Sequence, residues 1–337
     1  MKNKNKGIIL YASLLIAVVI LIMVAVAILK QVHPSNASDS AAESLYATPV
    51  ATSAPAQVTT PIFTPTSTFV PTPTIIPTPI LTPTPVPTIN IVSTDVSNER
   101  KDWYYLPANS LWTDTLPTTR ADMEEDMKQY NGIWQQDTSE KVIYITMDMG
   151  ENCSSNLDIM LDAAKSRGVK MTFFLVGNII KLFPETVLKI ESEGHLIANH
   201  TMTHPHPFTS YLDQYGEDAF WKQITDTEYE YKKLTGKDMV KIVRPPNGVY
   251  SEKICALTYN KGYRLALWSF GYLDWNINEQ PEPVEALNKI LSEACPGQVM
   301  LLHPKSTTNT EIFGELLDKL IERGYSFKTL DQFPEYK

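Results

Sequence analysis

His200-Thr-Met-Thr-His204 places two imidazoles four residues apart, directly behind the apolar run His195-Leu-Ile-Ala-Asn199. After a short strand, side chains so spaced can turn the same way and share a divalent ion, although two ligands make only half of a zinc coordination sphere. The spacing equally suits two partly buried histidines bonded to nearby carbonyls, so the pair alone leaves both readings open. Other reactive side chains stand in comparable places. Asp148 follows the β-branched stretch 142–146, Arg244 follows 241–243, Asp274 comes after 263–269, and His303 follows 298–302. If these stretches are successive strands of a parallel sheet, all five groups gather at the carboxyl ends of the strands, where α/β folds bind and react.

The intervening sequence supports that arrangement. Strand-like segments at 142–146, 171–176, 195–198, 241–243, 263–269, 298–302 and 326–329 alternate with helix-like segments at 155–167, 184–193, 213–234, 251–260, 283–293 and 310–323. Gly168 and Gly236 end two of these helices. The pattern predicts an α/β fold, a distorted (β/α) barrel of about seven strands, one short of the full eight. His195 and His206 fall outside this set and are read as structural.

The rest of the chain is organised differently. Lys2, Lys4 and Lys6 precede an uncharged, mostly apolar run over 7–29, long enough to cross a bilayer, which takes about 20 residues. The positive flank belongs in the cytoplasm. No small-residue cleavage site follows the run, so residues 1–30 read as an uncleaved transmembrane anchor rather than a signal peptide. Residues 31–91 read as a disordered Pro/Thr-rich linker: twelve of the 24 prolines lie between Pro34 and Pro87. Fully extended at ~3.1 Å per residue, such a tract reaches on the order of 170 Å. Residues 92–140 regain charge and aromatics, with a short helix at 122–130, and read as an extension packed on the domain of 141–337. Its aromatic residues, Trp103, Tyr104, Tyr105, Trp112 and Trp134, are expected at the junction. A net charge of -9 without a basic block excludes a nucleic-acid partner. Three cysteines, Cys153, Cys255 and Cys295, make no disulfide framework and are expected as free, buried thiols.

In order, Thr146-Met-Asp-Met-Gly150, His200-Thr-Met-Thr-His204, Arg244-Pro-Pro-Asn-Gly248, Asp274-Trp275 and Leu301-Leu-His303 resemble the five motifs of the polysaccharide deacetylases, carbohydrate esterase family four. Within that family the chain looks most like the sporulation-type muramic δ-lactam de-N-acetylases. That likeness rests on Tyr130-Asn-Gly-Ile-Trp134 leading into Asp137-Thr-Ser-Glu-Lys141, on Glu151, and on Phe270-Gly-Tyr-Leu-Asp-Trp-Asn-Ile-Asn278. The resemblance implies a distorted barrel and hydrolysis of an N-acetyl group on an amino sugar of peptidoglycan, N-acetylmuramic acid foremost. It makes Asp148 the general base, His303 the general acid, Arg244 the partner that holds Asp148 ionised, and Asp274 the group that keeps His303 protonated. His200 and His204 would be metal ligands, with zinc the expected ion. Trp275, Asn247 and Leu301 would bind substrate. With the anchor, this implies a monomer at the cell membrane, its catalytic domain on the wall side and its partners the peptidoglycan glycan strands.

One position departs from the family. Its first motif usually carries two aspartates, the second a metal ligand, and Met149 stands there instead. A thioether is a poor ligand for zinc, so weak metal binding is expected, with Cys153 or Glu151 as the nearby substitutes. Met149 also raises a second possibility, a catalytically inactive relative that binds wall glycan through the same groove.

Overall fold

The computed structural model describes residues 91–109, 116–150 and 154–336. The anchor at 1–30, the linker up to residue 90, and the expectations for Trp112, Glu151 and Cys153 lie outside the described residues. Among the described residues no helix is long and apolar enough to cross a membrane.

The described residues form eleven strands and eight helices. The extension contributes β1 (Lys101–Asp102), β2 (Tyr105–Leu106), β3 (Thr118–Thr119) and α1 (Ala121–Gln129). Then follow β4 (Val142–Met149), α2 (Ser154–Ser166), β5 (Thr172–Leu175), α3 (Gly177–Leu182), α4 (Pro184–Ser192), β6 (Leu196–Asn199) and α5 (Phe208–Thr235). The second half holds β7 (Ile242–Val243), β8 (Val249–Tyr250), α6 (Glu252–Asn260), β9 (Arg264–Leu265), α7 (Pro283–Glu293), β10 (Gln298–Leu302), α8 (Thr307–Glu322) and β11 (Ser326–Phe327). Seven of the strands form one curled parallel sheet, in the order β10-β4-β5-β6-β7-β9, with β11 beside the start of β4. The predicted strand and helix segments all have counterparts, apart from shifts of a few residues at their ends. Two differences carry a physical reason. The strand expected over 263–269 is regular only at β9, because the chain beyond it leaves β7 and turns to β10, bridging Phe270 to Met300. Helix α3 was not expected; it starts at once after β5, where Gly177 lies so close to Met202 and Thr227 that a Cβ would sit 2.4 Å from the Met202 sulfur.

Strand β4 shows how the sequence builds both faces of the sheet. Side chains alternate across a strand. Ile143, Ile145, Met147 and Met149 therefore join a core under the helices, with Leu157, Leu161, Phe313 and Leu317. Val142 and Tyr144 pack on the opposite face with Phe174, Ala198 and Ala266. Thr146 and Asp148 share that inner parity, and Asp148 lies opposite Phe174 in register. Burial on both faces explains why the strand reads as a nearly continuous apolar run.

The extension completes this framework. Ile133 pairs with Ala266 and Gln135 with Gln298, so residues 133–135 lie between β9 and the start of β10. The Gln136 amide donates to the Gly297 carbonyl and the Leu267 amide to that of Ile133. This segment occupies the place left open by counting seven strands. Further up, β1 pairs antiparallel with β8, and the Trp103 indole, one of the expected junction aromatics, donates to the Trp268 carbonyl at 2.7 Å. Cys255 and Cys295 are free and buried, as expected.

Candidate active site

Asp148 is held in place by Arg244. The guanidinium is fully buried, with 0 % exposure, just past β7, and its Nη1 donates to Asp148 Oδ1 at 2.5 Å and to Thr146 Oγ1 at 2.9 Å. It sits over the Phe174 ring, 4.0 Å from its centre, and its other nitrogens donate to the carbonyls of Ala266 and Leu267 at 3.3 Å. A buried cation so fully bonded is tolerated because its counter-charge is beside it. Burial pushes the Asp148 carboxyl up, but Arg244 first, then His200 and His303, outweigh it and hold the group below the usual carboxylate range. Asp148 is thus ionised at neutral pH, as a general base must be.

His200 follows β6 directly. Its Nδ1 lies 3.0 Å from the Arg244 carbonyl, which leaves Nε2 facing Asp148 Oδ2 at 3.5 Å. His204 closes a tight turn in which Thr201 and His204 both take positive φ, and its ring centre is 4.8 Å from that of His200. Burial lowers the pKa of both imidazoles, that of His204 to about 4. Both rings are therefore neutral near pH 7, the state in which an imidazole nitrogen can bind a metal.

His303 follows β10. Its Nδ1 is 2.7 Å from Asp274 Oδ1, and its own amide donates to Asp274 Oδ2 at 2.7 Å. Asp274 is completely buried, and Asn309 Nδ2 donates to the same Oδ2 at 2.6 Å. Burial alone lowers the His303 pKa, but the hydrogen bond and charge of Asp274 reverse this and raise it above the ordinary value. A histidine so placed carries its proton toward neutral pH with Nε2 left for the groove.

Asp148, His200, His204 and His303 line one groove of about 570 Å³, together with Asn247, Trp275 and Leu301. Trp275 is 51 % exposed at its mouth. Arg244 and Asp274 stand behind it, each bonded to one of the lining groups. Every expected site residue is thus in the groove or in contact with a residue that is. Others in the site were not foreseen: Thr146 and Asn309 orient Arg244 and Asp274, and Trp268, Asn178, Thr203 and Lys305 line the walls. Asn309 sits in the first turn of α8, capped by Ser306, with a partner 35 residues away, and no local pattern announces it. His195 is structural, as expected, with Nδ1 accepting from the Met171 amide at 3.1 Å.

The sequence profile of the polysaccharide deacetylases matches residues 135–266. Over the span it shares with the peptidoglycan-N-acetylmuramic acid deacetylase PdaA of Bacillus subtilis the chain is 32% identical, covering 64% of this chain and 80% of that one. The chain belongs to the polysaccharide deacetylase family. A peptidoglycan-N-acetylglucosamine deacetylase of Bacillus cereus is also 32% identical, across 56% of this chain and 66% of its own. The solved structure of the Bacillus subtilis family 4 carbohydrate esterase PdaA superposes with a TM-score of 0.63 at 30% identity, covering 70% of this chain and 97% of that one. The polysaccharide deacetylase fold thus spans the curled sheet and the groove described above.

Proposed function

We propose that this family member is a carbohydrate N-deacetylase that hydrolyses the N-acetyl group of a peptidoglycan amino sugar, N-acetylmuramic acid foremost. The observation that carries this reading is one groove that holds an ionised carboxylate, Asp148 on Arg244, and a histidine kept protonated, His303 on Asp274. Amide hydrolysis needs both at once: a base for the attacking water and an acid for the poor amine leaving group. Asp148 takes the proton from water, and His303 delivers one from Nε2 to the sugar nitrogen as the C–N bond breaks. Acetate and a free amine result. Trp275 offers an apolar face to the pyranose, Leu301 closes the wall, and the Asn247 backbone N–H is available to the developing oxyanion.

His200 and His204, two neutral imidazoles with ring centres 4.8 Å apart, are the residues that would hold a divalent ion, and they supply half of a coordination sphere. Among the described residues no group of three His, Cys, Asp or Glu side chains has the geometry to hold a metal. Met149 is 1 % exposed and packs in the core under the helices, and where it borders the groove it brings only a thioether, a poor ligand for zinc. The fit is therefore to a weakly held ion, zinc by the character of the imidazoles. When bound, it would supply Lewis acidity toward the carbonyl and the attacking water. The anchor and linker complete the proposal: a monomer held in the cell membrane by residues 1–30, with the catalytic domain reaching outward to glycan strands.

Acetate release from denuded peptidoglycan strands by the purified protein, with chelator and with added zinc, tests the reading. Release that rises with the metal supports it. Glycan binding without acetate under any condition would instead make the chain an inactive binder.

A further inference from the structure

Asp274 is bound from its far side as well as by His303. Asn309 donates from Nδ2 to Asp274 Oδ2 at 2.6 Å and to the His303 carbonyl at 3.3 Å. Both of those partners are acceptors, so the NH2 end of the amide faces them and Oδ1 points the other way, where the Tyr272 hydroxyl bonds to it. The tyrosine is therefore the donor. Burial, and after it the charge of Asp274, pushes the Tyr272 pKa up, so the phenol keeps the proton that it shares. The two residues are firmly seated. Asn309 is 1 % exposed and its amide donates to Ser306 Oγ at 3.0 Å, while Tyr272 packs against the core under the helices beside Phe270, ring centres 6.1 Å apart.

The result is a carboxylate with two unlike ends. Oδ2 takes two N–H donors, from the His303 backbone and from Asn309, whereas Oδ1 faces the His303 imidazole. Hydrogen bonds to the charged form of a carboxylate lower its proton affinity, and with it the strength of its hold on a neighbouring cation. A buried aspartate lacking them would stabilise the imidazolium so well that Nε2 gave up its proton reluctantly. A general acid works best when its proton affinity lies near the working pH. We propose that Asn309, backed by Tyr272, is a positioning residue that limits how strongly Asp274 stabilises the His303 imidazolium, so that His303 stays protonated yet releases its Nε2 proton to the leaving amine. The Nε2–H bond breaks as the new N–H bond forms on the sugar nitrogen, and His303 is left neutral with its remaining proton on Nδ1, against Asp274. Neither Tyr272 nor Asn309 lines the groove. The proposal rests on the deacetylase reading above and deepens it.

The charged groups that act on His303 are Asp274, Asp148 and Lys305, with His200 neutral beside Asp148. All four stay in place in the variants that test the proposal. The measurement is the titration of His303 by NMR in the full-length chain in detergent, with its six histidines labelled with 15N and the His303 signals assigned by their loss in His303→Gln. Asn309→Leu removes the donor at similar volume, and the His303 midpoint should rise by about one pH unit, opposite in sign to the change in Asp274→Asn. Tyr272→Phe lacks a single oxygen and should raise it by less; it carries the test alone if Asn309→Leu does not fold. In profiles of kcat/KM the alkaline limb should move up with the midpoint, and kcat on the plateau should fall about three- to tenfold as the acid weakens. A merely structural role would loosen Asp274 from His303 and lower the midpoint. A midpoint that falls or stays in place in either folded variant would overturn the proposal. The midpoints are read without substrate, so a wild type that releases no acetate counts against the deacetylase reading and leaves this measurement decisive.

Discussion

Asp148→Asn takes away the carboxylate that the buried Arg244 faces, and two effects follow from one change. Turnover should fall by about a thousandfold, within the range for loss of a general base. Stability should also drop, by about 3 kcal/mol, because a fully buried guanidinium is left without its counter-charge. Acetate release and urea unfolding measure the two separately; full stability with lost activity would mean that Arg244 finds another partner. The pH dependence has signs that can be worked out. Asp148 has a folded pKa below its unfolded value of ~3.9, so its contribution to stability is present above that pH and is lost as pH falls through the depressed value. His303 has a raised folded pKa, so its contribution is complete below ~6.5 and is lost as pH rises through the raised value. Activity should follow a bell whose alkaline limb belongs to His303. Asp274→Asn removes what raises that pKa, and the alkaline limb should move to lower pH. A limb that stays in place in a pH profile of kcat/KM would show that another group is the acid.

Each of these groups depends on elements far from it in the chain. Tyr105 in β2 lies against the loop after β9: its hydroxyl donates to the Gly271 carbonyl at 2.9 Å and accepts from the Gly271 amide at 2.7 Å. That loop carries Asp274 and Trp275 three and four residues on. Tyr105→Phe leaves both Gly271 groups unpaired and should cost about 1–3 kcal/mol. It should also lower kcat, since His303 loses alignment with Asp274; thermal unfolding and steady-state kinetics report the two. Gly297, at the entry to β10, has φ +73, and a Cβ there would sit 2.2 Å from the Gln136 carbonyl oxygen. Gly297→Ala should therefore push 133–136 out of its place and destabilise the whole domain. These positions mark where reading the sequence stops. Strand ends bearing Asp148, His200, Arg244 and His303 were legible because apolar runs and the reactive residue after each are adjacent in the chain. The ordered motifs then named the family. The roles of Tyr105, Gly297 and Asn309 were not legible, because each is defined by a partner distant in sequence, and a tyrosine or a glycine carries no signal of such a partner. The extension was expected to pack on the domain; that it supplies part of the sheet's closure follows only from the pairing of Ile133 and Gln135.

For the molecule as a whole, the proposed division of labour is between a head that carries the chemistry and an N-terminal part that sets where it acts. Removing residues 1–30 should shift the protein from the membrane pellet to the soluble fraction while leaving kcat/KM on denuded glycan strands unchanged. Cell fractionation with a parallel assay of the purified head measures both. A loss of activity would show that the N-terminal part does more than place the head.

The closing segment at 133–136 also bears on the order in which the chain can become a protein. It is made early, yet its partners come late: Gln135 bonds to the Pro296 carbonyl 161 residues further on, and Tyr105 meets Gly271 across 166. Contacts so distant in sequence close slowly, and none of these can form before the partner has emerged. Until β10 is available, Ile133 can meet Ala266, but Gln135 lacks its partner and the edge of β4 that β10 covers stays open. The groove consequently cannot assemble piecemeal: Asp148 and Arg244 meet early, but the wall with His303 and Lys305 arrives with the same strand that shuts the sheet, so competence for the reaction and completion of the fold coincide.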